Sequence, residues 1–266
     1  MLSFSIFKVN TMIVFVAGMS RAGSMWTYNV VRAIYETRGF RVLPKEIPAD
    51  EGPLITKTLN SEVNDNEVYC IKTHVPLKSH LPTQHEVKII CNIRDVRDAA
   101  LSFMRFTHAD LEEGIETMMR MMFIADHYLT KFKNNLLCIR YEDFTDNPQL
   151  VLENISAFLQ INLSKGEKTD ILRRFSKANI QKQLNSMKKI KLDAQGQIES
   201  DEKKLKFETV KNLDGTYRVY DKTTAFQSDH ITSTRAGEWK THFGKDQIER
   251  INGITGDWLL KHGYKA

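Results

Sequence analysis

The sequence predicts an α/β fold in a single domain, with a central, mostly parallel β-sheet flanked by helices. Three observations carry this. Four short apolar runs, MIVFVAG (12–18), VYCIKTH (68–74), VKIICNIR (87–94) and NLLCIRYEDF (135–144), are rich in β-branched residues and bounded by polar turns, the pattern of strands buried on both faces. Helical periodicities lie between most of them, and strands alternating with helices imply a doubly wound sheet. The chain of 266 residues fits one large α/β domain or two small ones, and it contains no internal repeat.

Taken in order, the first strand runs into the turn MSRAGS, and a helix follows over 24–38 with Val30, Val31, Ile34 and Tyr35 on one face. After the strands at 68–74 and 87–94, residues 110–132 place Leu111, Ile115, Met118, Met122, Ala125 and Leu129 at helical spacing. Asp110 with Glu113 resembles a capping pair at its start. Asn147-Pro148 opens a helix through Leu152, Ile155 and Leu159. The last helix, near 245–261, carries Ile248, Ile251, Ile254 and Trp258. Residues 186–222 are lysine-rich and poor in apolar side chains, and NLDGTYRVY within them holds an Asp-Gly hairpin signal. The stretch 186–230 reads as a mobile insertion in the one domain 1–266. It is either a solvated excursion or a lid over an acceptor site.

The formal net charge of +5 suits a small anionic ligand at least as well as a nucleic acid. The lysines of 186–211 are interrupted by acids, so no basic stripe for nucleic acid is expected. Cys70, Cys91 and Cys138 lie in strand-like runs without a CxxC pair and read as buried, reduced thiols of a reducing compartment. No apolar stretch approaches about 18 residues, so no membrane span is expected. The N-terminal residues put their lysine after the apolar residues, the wrong order for a secretory signal. The expected location is cytoplasmic.

Ligands of doubly wound sheets bind at the carboxyl ends of the strands. The turn 19–24, the KTH of 72–74 and Arg94 all fall at such ends. Gly18 and Gly23 have the spacing of GxxxxGK[ST], but Ser24 and Met25 stand where lysine and a hydroxyl should be. A magnesium-nucleotide kinase is therefore disfavoured. The backbone N–H groups of Gly23, Ser24 and Met25 can still cradle a phosphate, with Arg21 adding charge-assisted bonds. His74, two residues after Lys72, suits a general base beside a cation, or a merely structural histidine. Arg94 and Ser102, eight residues apart, suit an anion. The alternative is that Arg94, Asp95, Arg97 and Asp98 form a solvated ion-pair cluster. STRAGEWKTHF (233–243) is a phosphate-gripping loop or an ordinary approach to a helix. No metal-ligand set such as HExxH is present, so no metal is expected.

Together these stretches resemble the sulfotransferases that use 3′-phosphoadenosine 5′-phosphosulfate (PAPS). The family's donor loop reads like PKSGTTW and here is SRAGSMW. Its base motif KTH[LF]P is here KTHVP. Its RxPxDxxxS is here RDVRDAALS, keeping Arg94, Asp98 and Ser102. Its late YED matches Tyr141, Glu142 and Asp143, and GEWKTHF matches the second half of RKGxxGDWKNHF. The motifs arrive in the family's order over residues 14–243, and the phrasing DHITSTRAGEW looks more like bacterial members.

The resemblance implies a P-loop NTPase-like fold, PAPS as donor, adenosine 3′,5′-bisphosphate as product, and metal-independent chemistry. It implies that Arg21 stabilises the departing 5′-phosphate, with Ala22, Gly23, Ser24 and Met25 in the donor loop. Trp26 would pack on adenine, Arg94 and Ser102 would grip the 3′-phosphate, and Tyr141 would touch the nucleotide. Lys72 and His74 would flank the sulfuryl group, with His74 as general base. The sequence departs from the pattern at Ser20, Arg21, Ser24 and Met25, and TST (232–234) replaces RKG. Ser233, Thr234 and Arg235 are the candidates for that lost grip. The acceptor is expected to be a small molecule or natural product bound by segments 40–66, 104–112 and 186–230, through a hydroxyl rather than an amine. The competing readings are a small-molecule P-loop kinase and a non-catalytic nucleotide-binding protein. Oligomeric state is open, a homodimer included.

Overall fold

A computed structural model describes residues 11–47, 55, 64, 66–77, 85–231 and 235–265. Its main sheet contains β1 (Thr11–Gly18), β2 (Arg41–Leu43), β3 (Glu67–Lys72), β4 (His85–Ile93) and β5 (Leu136–Arg140) in the order β2-β3-β1-β4-β5. Every pairing in it is parallel. The alternation of side chains along a strand splits the core in two. Val14 and Val16 of β1 pack into one apolar cluster with Val30, Val31 and Ile34 of α1 (Ser24–Glu36). Ile13, Phe15 and Ala17 pack into the other, with Val96 and Ala99 of α2 (Val96–Thr107) and Met118 and Ala125 of α3 (Leu111–Lys131). Helices therefore cover both faces, and the most apolar strand takes the centre because only there are both faces dry.

The expected helix starts are realised. Asp110 and Glu113 form a reciprocal capping box on α3. The helix opened by Asn147-Pro148 is preceded by α4 (Tyr141–Asp146) and becomes α5 (Pro148–Phe158), with the Asn147 side chain accepting from Leu150 N–H. Two expectations change here, and one strand is new. The run 135–144 is strand only to Arg140, since Glu142 and Asp143 fall in the first turn of α4, where carboxylates are favoured. β5 is an edge strand, so Cys138 is exposed while Cys70 and Cys91 are buried. β2 has only three residues, too few for a periodic signal.

The helices α6 (Lys165–Arg174) and α7 (Lys177–Met187) lead into the insertion, followed by α8 (Asp201–Lys206). The Asp-Gly signal is a hairpin: β6 (Phe207–Lys211) and β7 (Tyr217–Asp221) pair antiparallel around Gly215. Ile190, Ile198, Val219, Tyr220 and Phe226 bury themselves in the α1-side core, so the insertion is packed against the sheet domain. The chain closes with α9 (Trp239–His242) and α10 (Lys245–Lys261). The face of α10 is shifted from expectation: Ile251 and Trp258 are buried, but Ile254 is exposed.

Gly18 ends β1 with φ +102°, and a Cβ there would stand 2.4 Å from Asn92 O. Gly18→Ala is expected to lower folding stability by about 2–4 kcal/mol, from left-handed strain plus the backbone clash. A urea melt checks this, and a loss under about 1 kcal/mol would contradict it.

Candidate active site

The end of β1 and the turn after it contain three residues with positive φ: Gly18 at +102°, Arg21 at +61° and Gly23 at +82°. Arg21 is not glycine, so its backbone conformation costs about 1–2 kcal/mol and must be held by its surroundings. Arg94 Nη1 donates to Arg21 O at 3.0 Å. Arg21 Nε donates to Ser102 Oγ at 3.0 Å and Nη2 to His230 O at 2.8 Å. Its guanidinium lies 4.1 Å from the Phe106 ring centre. Gly23 is the N-cap of α1, no side chain caps that end, and its first turn holds no acid. The N–H groups there are the unsatisfied donors of a helix start. A Cβ on Gly23 would sit 2.5 Å from Phe144 Cε1, so only glycine lets the turn approach that ring.

A cavity of about 670 Å³ opens over this turn. Its charged and polar liners include Arg21, Ser24, Arg94, Ser102, Lys177, His230 and Arg235 together with one acid, Asp146; its apolar liners include Trp26, Phe144, Leu172, Phe175, Ile180 and Phe226. Trp26 stacks on Phe144 at 5.1 Å and donates Nε1–H to Phe175 O at 3.2 Å. Arg94 is 2% exposed, lies 3.8 Å from the Tyr141 ring centre, and has no hydrogen-bond partner for Nε or Nη2 among the described residues. Buried donors left unmatched are costly. Arg21 is pushed down to about 9, by burial first and then by the charge of Arg94. An oxyanion in this cavity would satisfy the donors and offset the mutual repulsion.

The stretch 94–98 is not solvated. Arg97 forks onto Asp95, with Nε–Oδ1 2.9 Å and Nη2–Oδ2 2.7 Å, and both residues are buried. Asp98 accepts from Gly237 N–H at 2.6 Å and Trp239 N–H at 3.1 Å. Burial raises the Asp98 pKa, and those two backbone donors oppose the rise. The physical reason is packing: α2 lies under the 235–239 loop, so its polar first turn is sealed. Asp98 thereby fixes the loop that brings Arg235 to the cavity rim.

Lys72 and His74 stand at the end of β3, one strand away from the turn. Thr73 N–H donates to Val16 O at 2.9 Å. His74 Nδ1 is 3.0 Å from Gly18 O. A carbonyl can only accept, so in the neutral ring Nδ1 carries the proton and Nε2 is the basic atom.

The cavity thus gathers Arg21, Gly23, Ser24, Met25, Trp26, Arg94, Ser102, Tyr141 and Arg235. Lys72, His74 and Ala22 are not among its lining residues, and the Ala22 side chain packs into the α2-side core instead. Ser233 and Thr234 lie outside the described residues. Sequence reasoning missed Phe144, Phe175, Lys177, Phe226 and His230. The junction of α6 and α7 carries no motif, so Phe175 and Lys177 gave no signal. His230 stands just before the STRAGEW stretch and could have been singled out with it. His230 is half-buried at the cavity wall, and its pKa is lowered well below the ordinary 6.5, by burial first and then by Arg21, Lys72, Arg218 and His74.

No cluster of side chains suited to a metal ion occurs among the described residues, and no helix among them is long and apolar enough to cross a membrane. The sulfotransferase domain profile matches residues 13–263. No curated protein sequence matches the chain. Among solved structures, mouse sulfotransferase SULT7A1 complexed with PAP is 15% identical, with TM-score 0.60 over 95% of this chain and 85% of that one. Retinol dehydratase in complex with androsterone and inactive cofactor PAP is 16% identical, with TM-score 0.57 over 93% and 80%. At such identity these likenesses speak for the shared fold.

Proposed function

Because the chain belongs to the sulfotransferase domain family, we propose that it transfers a sulfuryl group from PAPS to a hydroxyl of a small-molecule acceptor. The observation that supports the donor most directly is Arg94: a buried guanidinium with two unmatched donor atoms, in one cavity with the uncapped start of α1. In this reading Arg94 and Ser102 hold the 3′-phosphate. Arg21 and the N–H groups of Gly23, Ser24 and Met25 hold the 5′-phosphate. Trp26, Phe144 and Phe175 supply apolar surface for adenine, and Tyr141 and Arg235 complete the enclosure. The structural relatives crystallised with PAP are consistent with this assignment.

His74 serves as the base. Its Nδ1–H is committed to Gly18 O, so Nε2 accepts the proton from the attacking hydroxyl. Lys72 offsets charge on the transferred oxygens, and Arg21 offsets charge on the departing phosphate. A neutral imidazole suits an alcohol better than an amine that is already protonated, which favours O-sulfation. The acceptor is bound by segments 40–66, 104–112 and 186–230.

Calorimetry with adenosine 3′,5′-bisphosphate tests the donor assignment against ATP with magnesium. The bisphosphate is expected to bind at least about tenfold more tightly. Binding of ATP alone would favour a P-loop kinase, despite Ser24 and Met25 standing in place of the lysine and hydroxyl that such a kinase uses. Tight bisphosphate binding without turnover on any acceptor would favour a non-catalytic nucleotide-binding protein.

A further inference from the structure

His230 lines the donor cavity beside Arg21 and has no task in the mechanism above. Its ring sits 5.5 Å from that of Phe106 and 6.0 Å from that of Phe226. Its carbonyl accepts from Arg21 Nη2 at 2.8 Å. Its Nδ1 is buried and has no hydrogen-bond partner among the described residues. The charges facing it come from several elements: Arg21 from the turn after β1, Lys72 from the end of β3, His74 from just beyond it, and Arg218 from β7. Arg218 lies 3.8 Å from the centre of the Phe106 ring and donates to Phe106 O at 2.9 Å. From α2 the neighbour is Phe106 itself, Arg105 being paired with Glu238 at 2.6 Å. The adjacent Asp229 is paired with Lys188 at 2.6 Å. The half-buried imidazole therefore stands in a cationic site, where burial first and those charges second lower its pKa and favour the neutral ring.

We propose that His230 is the acid on the donor side of the reaction: it takes up a proton as the anionic donor enters the cavity, and passes it to the 5′-phosphate oxygen that leaves sulfur. The proposal rests on the sulfotransferase reading. Arg21 supplies charge and directed hydrogen bonds to that oxygen, but a guanidinium is a poor proton donor. An imidazole beside it supplies what arginine does not. An opposite charge within about 4–6 Å favours the protonated ring by about tenfold to a thousandfold. The step balances. The bond from the acceptor oxygen to sulfur forms as the bond from sulfur to the bridging phosphate oxygen breaks. His74 receives the acceptor proton and His230 gives up its own. Water supplies the proton to His230 on donor binding and receives one from His74 after turnover, with no redox change.

The test is calorimetric titration of the full chain and of His230→Gln with adenosine 3′,5′-bisphosphate. Each titration is run near pH 7 and 8 in two buffers of different ionisation enthalpy, so that the buffer dependence counts protons. The ligand phosphates exchange protons too, so the difference between the two proteins is the reading. The wild-type protein is expected to take up about half to one proton more than the variant. Its affinity should also weaken with rising pH relative to that of the variant, by up to about tenfold per pH unit. Equal proton counts with tight binding would overturn the proposal and leave the sulfotransferase reading standing. Failure of the bisphosphate to bind would overturn both. If His230→Gln does not fold, the wild-type protein with carbon-13-labelled histidine is titrated by NMR. One imidazole should change from neutral to charged on ligand addition, and its absence would overturn the proposal.

Discussion

Replacing His74 with alanine is expected to lower turnover by about 10²–10⁴-fold, with the affinity for adenosine 3′,5′-bisphosphate changing by less than about threefold. The split follows from where His74 stands. It is anchored by Gly18 O at the end of β3 and is not among the residues lining the donor cavity. In the proposed reaction it would act in the transition state, where the acceptor proton is lost, and contribute little to holding the nucleotide. Steady-state rates with an acceptor found by screening, paired with calorimetry of the same variant, separate the two quantities. Full activity in His74→Ala would remove the residue from the mechanism. A large loss of bisphosphate affinity would instead make it a donor ligand.

Arg94→Met should do the opposite. Loss of a buried, hydrogen-bonded charge contact costs about 2–5 kcal/mol, so bisphosphate affinity should fall by about 30-fold or more. The thermal stability of the ligand-free protein should hold or rise. In the ligand-free protein Arg94 is 2% exposed, has two donor atoms unmatched, and stands close enough to Arg21 for each charge to oppose the other. Removing such a charge relieves a cost that only an anion offsets. Methionine keeps the apolar stem against Tyr141. The variant does lose the bond to Arg21 O, made at 3.0 Å, so thermal melts with and without ligand are both needed. A variant that melts far lower and binds normally would make Arg94 a structural residue only.

The strands β1, β3 and β4, the capped helices α3 and α5, and the Asp-Gly hairpin were legible in the sequence, because each rests on local chemistry. A β-branched run, a capping pair or a turn dipeptide states its preference within a few residues. The turn after β1 was legible for the same reason, as was the placing of Arg94 and His74 at strand ends, with Ser102 following in α2. What only the tertiary structure decided are the properties that depend on residues distant in the chain. The 94–98 stretch looks solvated by composition and is buried, because the loop bearing Gly237 and Trp239 folds onto Asp98 from about 140 residues away. Cys138 lies in an apolar run and is exposed, because β5 falls at the sheet edge. Arg21 adopts a left-handed backbone that its residue type disfavours, because Arg94 holds its carbonyl and Ser102 and His230 hold its guanidinium. His230 carries no motif of its own. Its lowered pKa comes from burial first and then from the charges of Arg21, Lys72, Arg218 and His74, and both are set by residues distant in the chain.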